Sequence, residues 1–207
     1  MLPLRIETQY FGSVQYFRQI ASANNAVIDI HEPFKKMSYR NRTTIISAQG
    51  PLLLTVPLQN GRDQKLPIHE VKISYIENWP IKHLKAISSC YKRSPFFEYY
   101  EEPLSQLLKT EYTHLLDLNM HLFDWLNKML KTQINISKTT ETIKYLDPYY
   151  QDVRDSSNTS ILSQNIANQV YPQVFSDKIE FIPNASILDL LFCMGPSANI
   201  YLKDKHL

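Results

Sequence analysis

Residues 4–30 switch hydrophobic period twice, and that alternation narrows the fold more than any other feature of the chain. Leu4–Tyr10 reads as a strand. Val14, Phe17, Ile20 and Ala21 then recur at helical spacing and predict a helix over Val14–Ala23. "AVIDI" (Ala26–Ile30) is short and β-branched and predicts a second strand. A β-α-β crossover places its two strands parallel and adjacent. The chain is therefore committed to an α/β architecture, in which ligands gather beyond the carboxyl ends of the strands.

The rest of the sequence adds to this nucleus. Thr43–Ser47, a turn at Gln49–Pro51 and Leu52–Leu58 predict an antiparallel hairpin, with Pro57 at its edge or end. His69–Ser74 alternates and predicts another strand. Pro80 suits a first helical turn, and Ile81, Leu84, Ile87 and Tyr91 mark the apolar face of the helix that follows. A second helical stretch, "RSPFFEYYEEPLSQLLK", is expected to break at Pro103, and Tyr112–Leu130 carries the clearest amphipathic pattern. Thr132–Val170 is polar and aperiodic and reads as a long connection. "KIEFIP" (Lys178–Pro183) predicts a late strand. Ser186 then caps a final helix, Asp189 completes a capping box, and Gly195 and Pro196 end it. The predicted fold is α/β, a Rossmann-like β-α-β core with an antiparallel hairpin and a C-terminal helical half. It forms one domain over 1–207: mostly strands with one helix over 1–76, helical over 77–131, an irregular connection over 132–177, and a strand with the final helix over 178–207.

Composition excludes several classes. Only four glycines occur, and Gly12, Gly50, Gly61 and Gly195 are scattered. No Walker loop and no GxGxxG can be built from them, because phosphate cradles need clustered glycine. A formal net charge of +2 over 207 residues argues against a nucleic-acid protein. Cys90 and Cys193 form no CxxC pair and read as buried packing thiols rather than a disulfide or a zinc site. The opening residues lack a long apolar run, and no later run reaches the ~20 residues a membrane helix needs. The expectation is a cytoplasmic protein without a membrane span.

"FKKMSYRNRTTI" (Phe34–Ile45) gathers Lys35, Lys36, Arg40 and Arg42 just past the second predicted strand, with Tyr39 and Asn41 between them. Guanidinium forks and ammonium groups suit phosphate or carboxylate. We therefore expect Lys36, Arg40 and Arg42 at an anion site, with Tyr10, Tyr16, Tyr39 and Asn41 orienting the bound molecule. Surface solvation alone is the competing reading. His83, at the border of a helix's apolar face, is the candidate general base, with packing as its alternative. His114, Asp117 and His121 share a helical stripe, but no fourth ligand accompanies them and no metal is expected. Asn119 interrupts an apolar face and should find an internal partner. No motif specifies a cofactor or an oligomeric state.

Several segments occur together in a recognisable order: "QYFGSVQYF", "SYRNR", "LLLTVPL", "NWPIKHLKAISSCYKRSPFFEYY", "LLDLN" and "YPQVF…FIPNASILDLLFCMGP". On these segments the chain resembles the WbqC-like family over nearly its whole length. The resemblance implies a transferase of surface-polysaccharide (O-antigen) biosynthesis, moving glycine or another acyl group to an amino sugar. It implies a sugar nucleotide or activated acyl donor as partner. It adds weight to Tyr10, Tyr16, Tyr39, Asn41, Arg42, His83, Tyr91 and Asn184, and adds Tyr91 and Asn184 to the expected substrate-binding set. The chain departs from the family pattern at Ile6 and Glu7, where a His-Gln pair is common, at Gly12, where proline is common, and in a shorter C-terminal third. Two other readings stand beside the enzyme: a non-catalytic partner in a polysaccharide-assembly complex, and a nucleic-acid module tracking a single strand through interleaved Lys, Arg and Tyr.

Overall fold

A computed structural model describes residues 2–23, 25–141, 143, 147–155 and 170–203. The opening is β-α-β as expected: β1 (Leu4–Ile6), α1 (Val14–Ala21) and β2 (Asn25–Ile28), with β1 and β2 parallel and Leu4 opposite Ala26. Helix α1 buries Val14, Phe17, Ile20 and Ala21, the face that the periodicity marked. Phe17 stacks on Phe123 at 5.7 Å and so joins α1 to α4 (Leu115–Leu130).

The polar connection holds the largest difference from the sequence reading. It supplies β5 (Asn135–Lys138) and β6 (Gln151–Asp152), the two outer strands of the sheet. The sheet runs β5-β2-β1-β6, and every pairing in it is parallel. Both added strands are short and largely solvent-facing, so neither carries the apolar alternation that reveals a strand.

The hairpin is β3 (Arg42–Ser47) with β4 (Gly50–Thr55), Ile45 opposite Leu52. His69–Ser74 forms no strand. Ile68–Glu70 makes one tight turn, and Lys72 and Ile73 each make a single bridge, to His114 and Leu58. The alternation was real, since Val71 and Ile73 are buried and Lys72 is exposed, but no neighbour extends a ladder.

Helices α2 (Trp79–Tyr91) and α3 (Phe97–Lys109) pack on each other, and α2 also packs on β3. Helix α3 continues through Pro103. Its ring and the preceding turn at Tyr99 are exposed, so water can meet the carbonyl that loses its donor. Helix α5 (Ile187–Met194) is buried from Ile187 to Cys193, and Phe192 packs among Tyr91, Phe97 and Tyr100 at 5.2, 5.2 and 6.2 Å. Ser186 caps it as expected. Gly195, at φ 52°, ends it, and α6 (Ala198–Lys203) follows. Lys178–Pro183 is not a strand. The Gln173 amide takes both main-chain groups of Ile182 at 3.0 Å, and one side chain thereby stands in for a strand partner.

Candidate functional site

The sheet order fixes where a ligand would be expected. From β1 the chain steps outward to β2 and then β5, and β6 lies on the other side of β1. The direction reverses between β1 and β6, and crevices in open parallel sheets form beyond the strand ends at such a point. Here Glu7 follows β1, Asp29 and Glu32 follow β2, and Arg154 and Asp155 follow β6. A cavity of 640 Å³ opens beside them, lined by Glu32, Pro33, Phe34, Lys35, Arg40, Lys65, Asp152, Arg154 and Asp155.

A chain of ion pairs forms the cavity's floor. Arg40, 2% exposed, meets Glu32 at 2.8 Å and Asp155 at 3.0 Å. Arg154 joins Glu32 at 3.0 Å to Asp152 at 2.7 Å. Beneath them the buried Arg5 bonds Asp29 at 2.6 Å and reaches Asp152 at 3.4 Å. Glu7 is also buried. It takes the Gln9 amide at 2.6 Å and the Asp155 N–H at 3.1 Å. Asp155 holds φ 59° to place its backbone there, a left-handed conformation that aspartate tolerates better than most residues.

The charges nearly cancel. The five carboxylates Glu7, Asp29, Glu32, Asp152 and Asp155 outnumber the four cations Arg5, Lys35, Arg40 and Arg154 by one, and only Lys65 at the rim restores balance. Among the lining residues themselves, Glu32, Asp152 and Asp155 stand against Lys35, Arg40, Lys65 and Arg154, so the cavity wall is close to neutral with one cation in excess. Burial pushes the Glu32 carboxyl above its ordinary range, against the pull of Arg40 and Arg154, with Glu7 adding to the rise. Asp155 behaves in the opposite way: burial raises it, but the hydrogen bonds from Lys35 and Arg40 prevail and hold it low. Neighbouring carboxyls whose environments push them apart are the usual layout for proton transfer.

The phosphate position of dinucleotide folds, the N-terminus of the first crossover helix, is already filled. Val14 N–H donates to the Ala185 carbonyl at 2.9 Å, Gln15 N–H to Asn184 Oδ1 at 3.0 Å, and Tyr16 N–H to Ser13 Oγ at 3.3 Å. The segment Asn184–Ser186 thus sits where a diphosphate would. A Cβ on Gly12 would lie 2.8 Å from the Tyr16 ring and 3.0 Å from Gln9 Oε1, so this glycine serves packing.

Of the residues named from sequence, Arg40 lines the cavity and Lys35 stands beside it. Lys36 pairs with Asp63 at 2.7 Å, outside the lining. Arg42 is half-buried on β3, and its Nε meets no hydrogen-bond acceptor. Asn41 bonds the Val56 carbonyl at 2.9 Å, and the Tyr39 carbonyl takes Tyr10 N–H at 2.9 Å. Tyr16 supports the floor indirectly, through its hydroxyl on the Glu7 carbonyl at 2.9 Å. Asn119 finds the internal partner expected of it, the Arg40 carbonyl at 2.8 Å.

His83 lies apart from the cavity. Its Nδ1 sits 2.8 Å from the Tyr10 hydroxyl, and its ring also bonds the Thr55 carbonyl. A ring N–H given to Thr55 leaves Nδ1 as the acceptor for Tyr10. Burial lowers His83 to about 4, against a small opposing effect of the Thr55 bond, so the imidazole is neutral near pH 7. Tyr10 is fully buried, with Trp79 and Phe11 against it.

Tyr91 belongs to a different buried cluster. Its hydroxyl accepts the Ile46 N–H at 3.0 Å and hydrogen-bonds Asp189. The Asp189 carboxylate also takes Tyr171 at 2.6 Å and Gln173 at 2.9 Å. Its side chain therefore ties α5 to Tyr91 of α2 and to the segment carrying Tyr171 and Gln173 rather than completing a capping box, and only its N–H turns back to Ser186.

Sequence reasoning missed Glu32, Asp152, Arg154 and Asp155. The available signal was a carboxylate just past the "AVIDI" strand and the acidic-basic alternation of "DVRD". Both lie in stretches without apolar periodicity, which by pattern alone read as loop.

The WbqC-like protein family matches the chain over residues 8–154. An uncharacterized protein of Mycobacterium tuberculosis (strain ATCC 25618 / H37Rv), Rv1507c, is 25% identical over 226 residues, covering 96% of each chain. No solved structure matches.

Proposed function

Because this chain belongs to the WbqC-like protein family, we propose that it is a transferase of surface-polysaccharide biosynthesis that moves glycine or a related acyl group onto the amine of an amino sugar. The crevice between β1 and β6 holds the acceptor. The observation that carries this reading is the buried Glu32 in the wall of a 640 Å³ cavity, its carboxyl raised by burial while two guanidinium groups fix its position. Cavities of about 300–1,000 Å³ suit small ligands. The carboxylates Glu32, Asp152 and Asp155 in the lining give an ammonium group partners, and a raised carboxyl suits the removal of its proton.

In the proposed step the deprotonated amine nitrogen attacks the acyl carbon of an activated ester, thioester or acyl phosphate. A C–N bond forms, the bond from the acyl carbon to the leaving group breaks, and the leaving group departs with that electron pair. Glu32 takes the proton that the ammonium group gives up to become the free amine, and the second N–H proton, shed as the C–N bond forms, leaves with the departing group. Arg40 and Arg154 are positioning residues that hold Glu32, and Lys35 and Lys65 at the rim face an anionic part of the donor. With the α1 N-terminus filled, donor phosphates would rest on these rim ammonium groups.

Calorimetry with glucosamine and N-acetylglucosamine tests the reading, because the pair differs only in the amine. Glucosamine should bind, N-acetylglucosamine should bind at least about tenfold more weakly, and Glu32→Gln should remove the preference. Equal binding of the two sugars, or a preference that survives Glu32→Gln, sinks it. Binding of neither favours the non-catalytic partner reading, to which the exposed Leu52 and Leu53 on β4 lend support.

A further inference from the structure

A second cavity, of 250 Å³, lies away from the sheet crevice. It is an open cleft bordered by the α2–α3 turn (Arg93, Ser94, Pro95), by the segment Pro172–Lys178, and by Cys193 of α5. Two of the segments that carry the family resemblance meet there, one from the helical half and one from the C-terminal region. Its walls are held from behind. Ser94 binds the Tyr91 carbonyl through both its N–H, at 2.8 Å, and its hydroxyl, at 2.7 Å. Phe96 N–H donates to the Phe192 carbonyl at 3.1 Å. Gln173 is clamped between Ile182 and Asp189. Such support fixes a pocket's shape before any ligand arrives.

The chemistry of the lining is divided. Pro95, Pro172, Val174 and Phe175 give flat apolar surface, and the cations Arg93 and Lys178 stand with them together with Asp177. Among the described residues neither Arg93 nor Lys178 makes an ion pair, in contrast with Lys35, Lys36, Arg40 and Arg154, which are all paired. Setting Asp177 against one of the two cations still leaves one positive charge uncompensated. Burial, with the charge of Asp189 added, raises the Cys193 thiol, so it lines the wall as a protonated, slowly reacting thiol.

We propose that this cavity binds a small organic anion with a ring-like apolar face, of the size of a phosphorylated ring, with Arg93 and Lys178 on the anionic group and the proline and Phe175 surfaces against the ring. At 250 Å³ it falls below the ~300 Å³ where pockets for drug-sized ligands begin, so it accepts one ring and its charged group and no nucleotide. The site does not depend on the crevice reading, since no residue lines both cavities.

Cys193 supplies a built-in reporter, and Cys90, also buried but not part of the lining, supplies the reference. The experiment follows alkylation of both thiols by iodoacetamide, using mass spectrometry on the intact protein. It compares phenyl phosphate, inorganic phosphate and phenol at matched millimolar concentrations. Phenyl phosphate should slow Cys193 at least about fivefold and leave Cys90 unchanged, and each fragment alone should protect much less. The exposed pair Arg93→Gln and Lys178→Gln, made together, should abolish the protection and weaken phenyl phosphate binding by about tenfold in calorimetry. Unchanged Cys193 kinetics, equal slowing of both thiols, equal protection by inorganic phosphate alone, or protection that survives the double substitution overturns the proposal.

Discussion

Arg40→Met tests the ionic floor most directly, because it removes the charge and keeps most of the stem. Arg40 is 2% exposed and neutralises Glu32 at 2.8 Å. Loss of one member of a buried pair commonly destabilises by about 3–5 kcal/mol. Here the chemistry of Glu32 sets a ceiling on the electrostatic part. The carboxyl is already raised by burial, and Arg40 is the largest influence holding it down, so the variant escapes a bare buried charge by keeping Glu32 protonated. Protonation at a given pH costs about 1.4 kcal/mol for each pH unit above the ordinary glutamate value of 4.5, roughly 3 kcal/mol near pH 7 and under about 1 kcal/mol near pH 5. In the variant the folded state binds a proton that the unfolded state has released, so its deficit shrinks as pH falls. Urea denaturation at both pH values should show that shrinkage. Arg40→Met with Glu32→Gln should show a smaller, nearly flat deficit, reflecting lost packing and the weakened hold on Asp155. A deficit for the single variant that stays constant between the two pH values, or one the second substitution does not relieve, refutes the account of Glu32 as the charge that Arg40 neutralises.

Two further perturbations probe other parts of the fold. The His83 imidazole sits at about 4 when folded against 6.5 when free, so the folded state resists its protonation; the stability it lends is complete above about pH 6.5 and is lost as pH falls towards about 4. That loss amounts to about 3 kcal/mol, His83→Gln should flatten this part of the acid limb in urea titrations, and a ring-proton resonance assigned to His83 that titrates near 6.5 in the folded protein would contradict the geometry. At Gly195, φ is 52° and a Cβ would lie 2.5 Å from the Phe96 ring, so Gly195→Ala should lower stability by more than about 2 kcal/mol in urea. The control Gly61→Ala, at φ 67° with open space around it, should cost only about 1 kcal/mol, and equal effects would show that the Phe96 contact yields freely.

The parts of the fold legible in sequence were those whose stability is written locally. Helix α1 declared itself through Val14, Phe17 and Ile20, and α5 through the Ser186 cap and the Gly195 stop, because spacing and caps need no distant partner. Strands β5 and β6 gave no such sign. Asn135, Ser137 and Lys138 are exposed, and the segment is a strand only because β2 offers it a parallel ladder from Asn25 to Ile28. The same limit governs the site. The clustering of Lys35, Lys36, Arg40 and Arg42 was visible as charge of one sign. The countercharges come from Asp63, from Glu32 before the cluster and from Asp155, 115 residues beyond Arg40, and no local pattern joins them. Asn119 was readable as needing a partner, though the Arg40 carbonyl could be identified only in three dimensions.

The scarcity of glycine and the filled helix N-terminus have a common physical cause. A dinucleotide fold keeps glycines after its first strand so that a diphosphate can approach bare backbone at the helix start. In this chain Asn184, Ala185 and Ser186 occupy that approach and satisfy the same N–H groups with protein oxygens. Asn184 adopts φ 54° to do so, a conformation asparagine accepts more readily than other non-glycine residues. Once the N–H groups are satisfied internally, nothing requires a second or third glycine. Gly12 is retained because Tyr16 and Gln9 leave its Cβ no room. The sheet thus combines a strand order also used by nucleotide-binding sheets with a filled phosphate position, and the charged groups past β2 and β6 are the polar chemistry at the switch point. If that is correct, Asn184→Gly, which keeps the backbone conformation and removes the Gln15 cap, should weaken α1 by about 1 kcal/mol in urea without creating affinity for adenosine diphosphate. Appearance of nucleotide binding in that variant would mean that the side chain alone had been closing a working phosphate cradle.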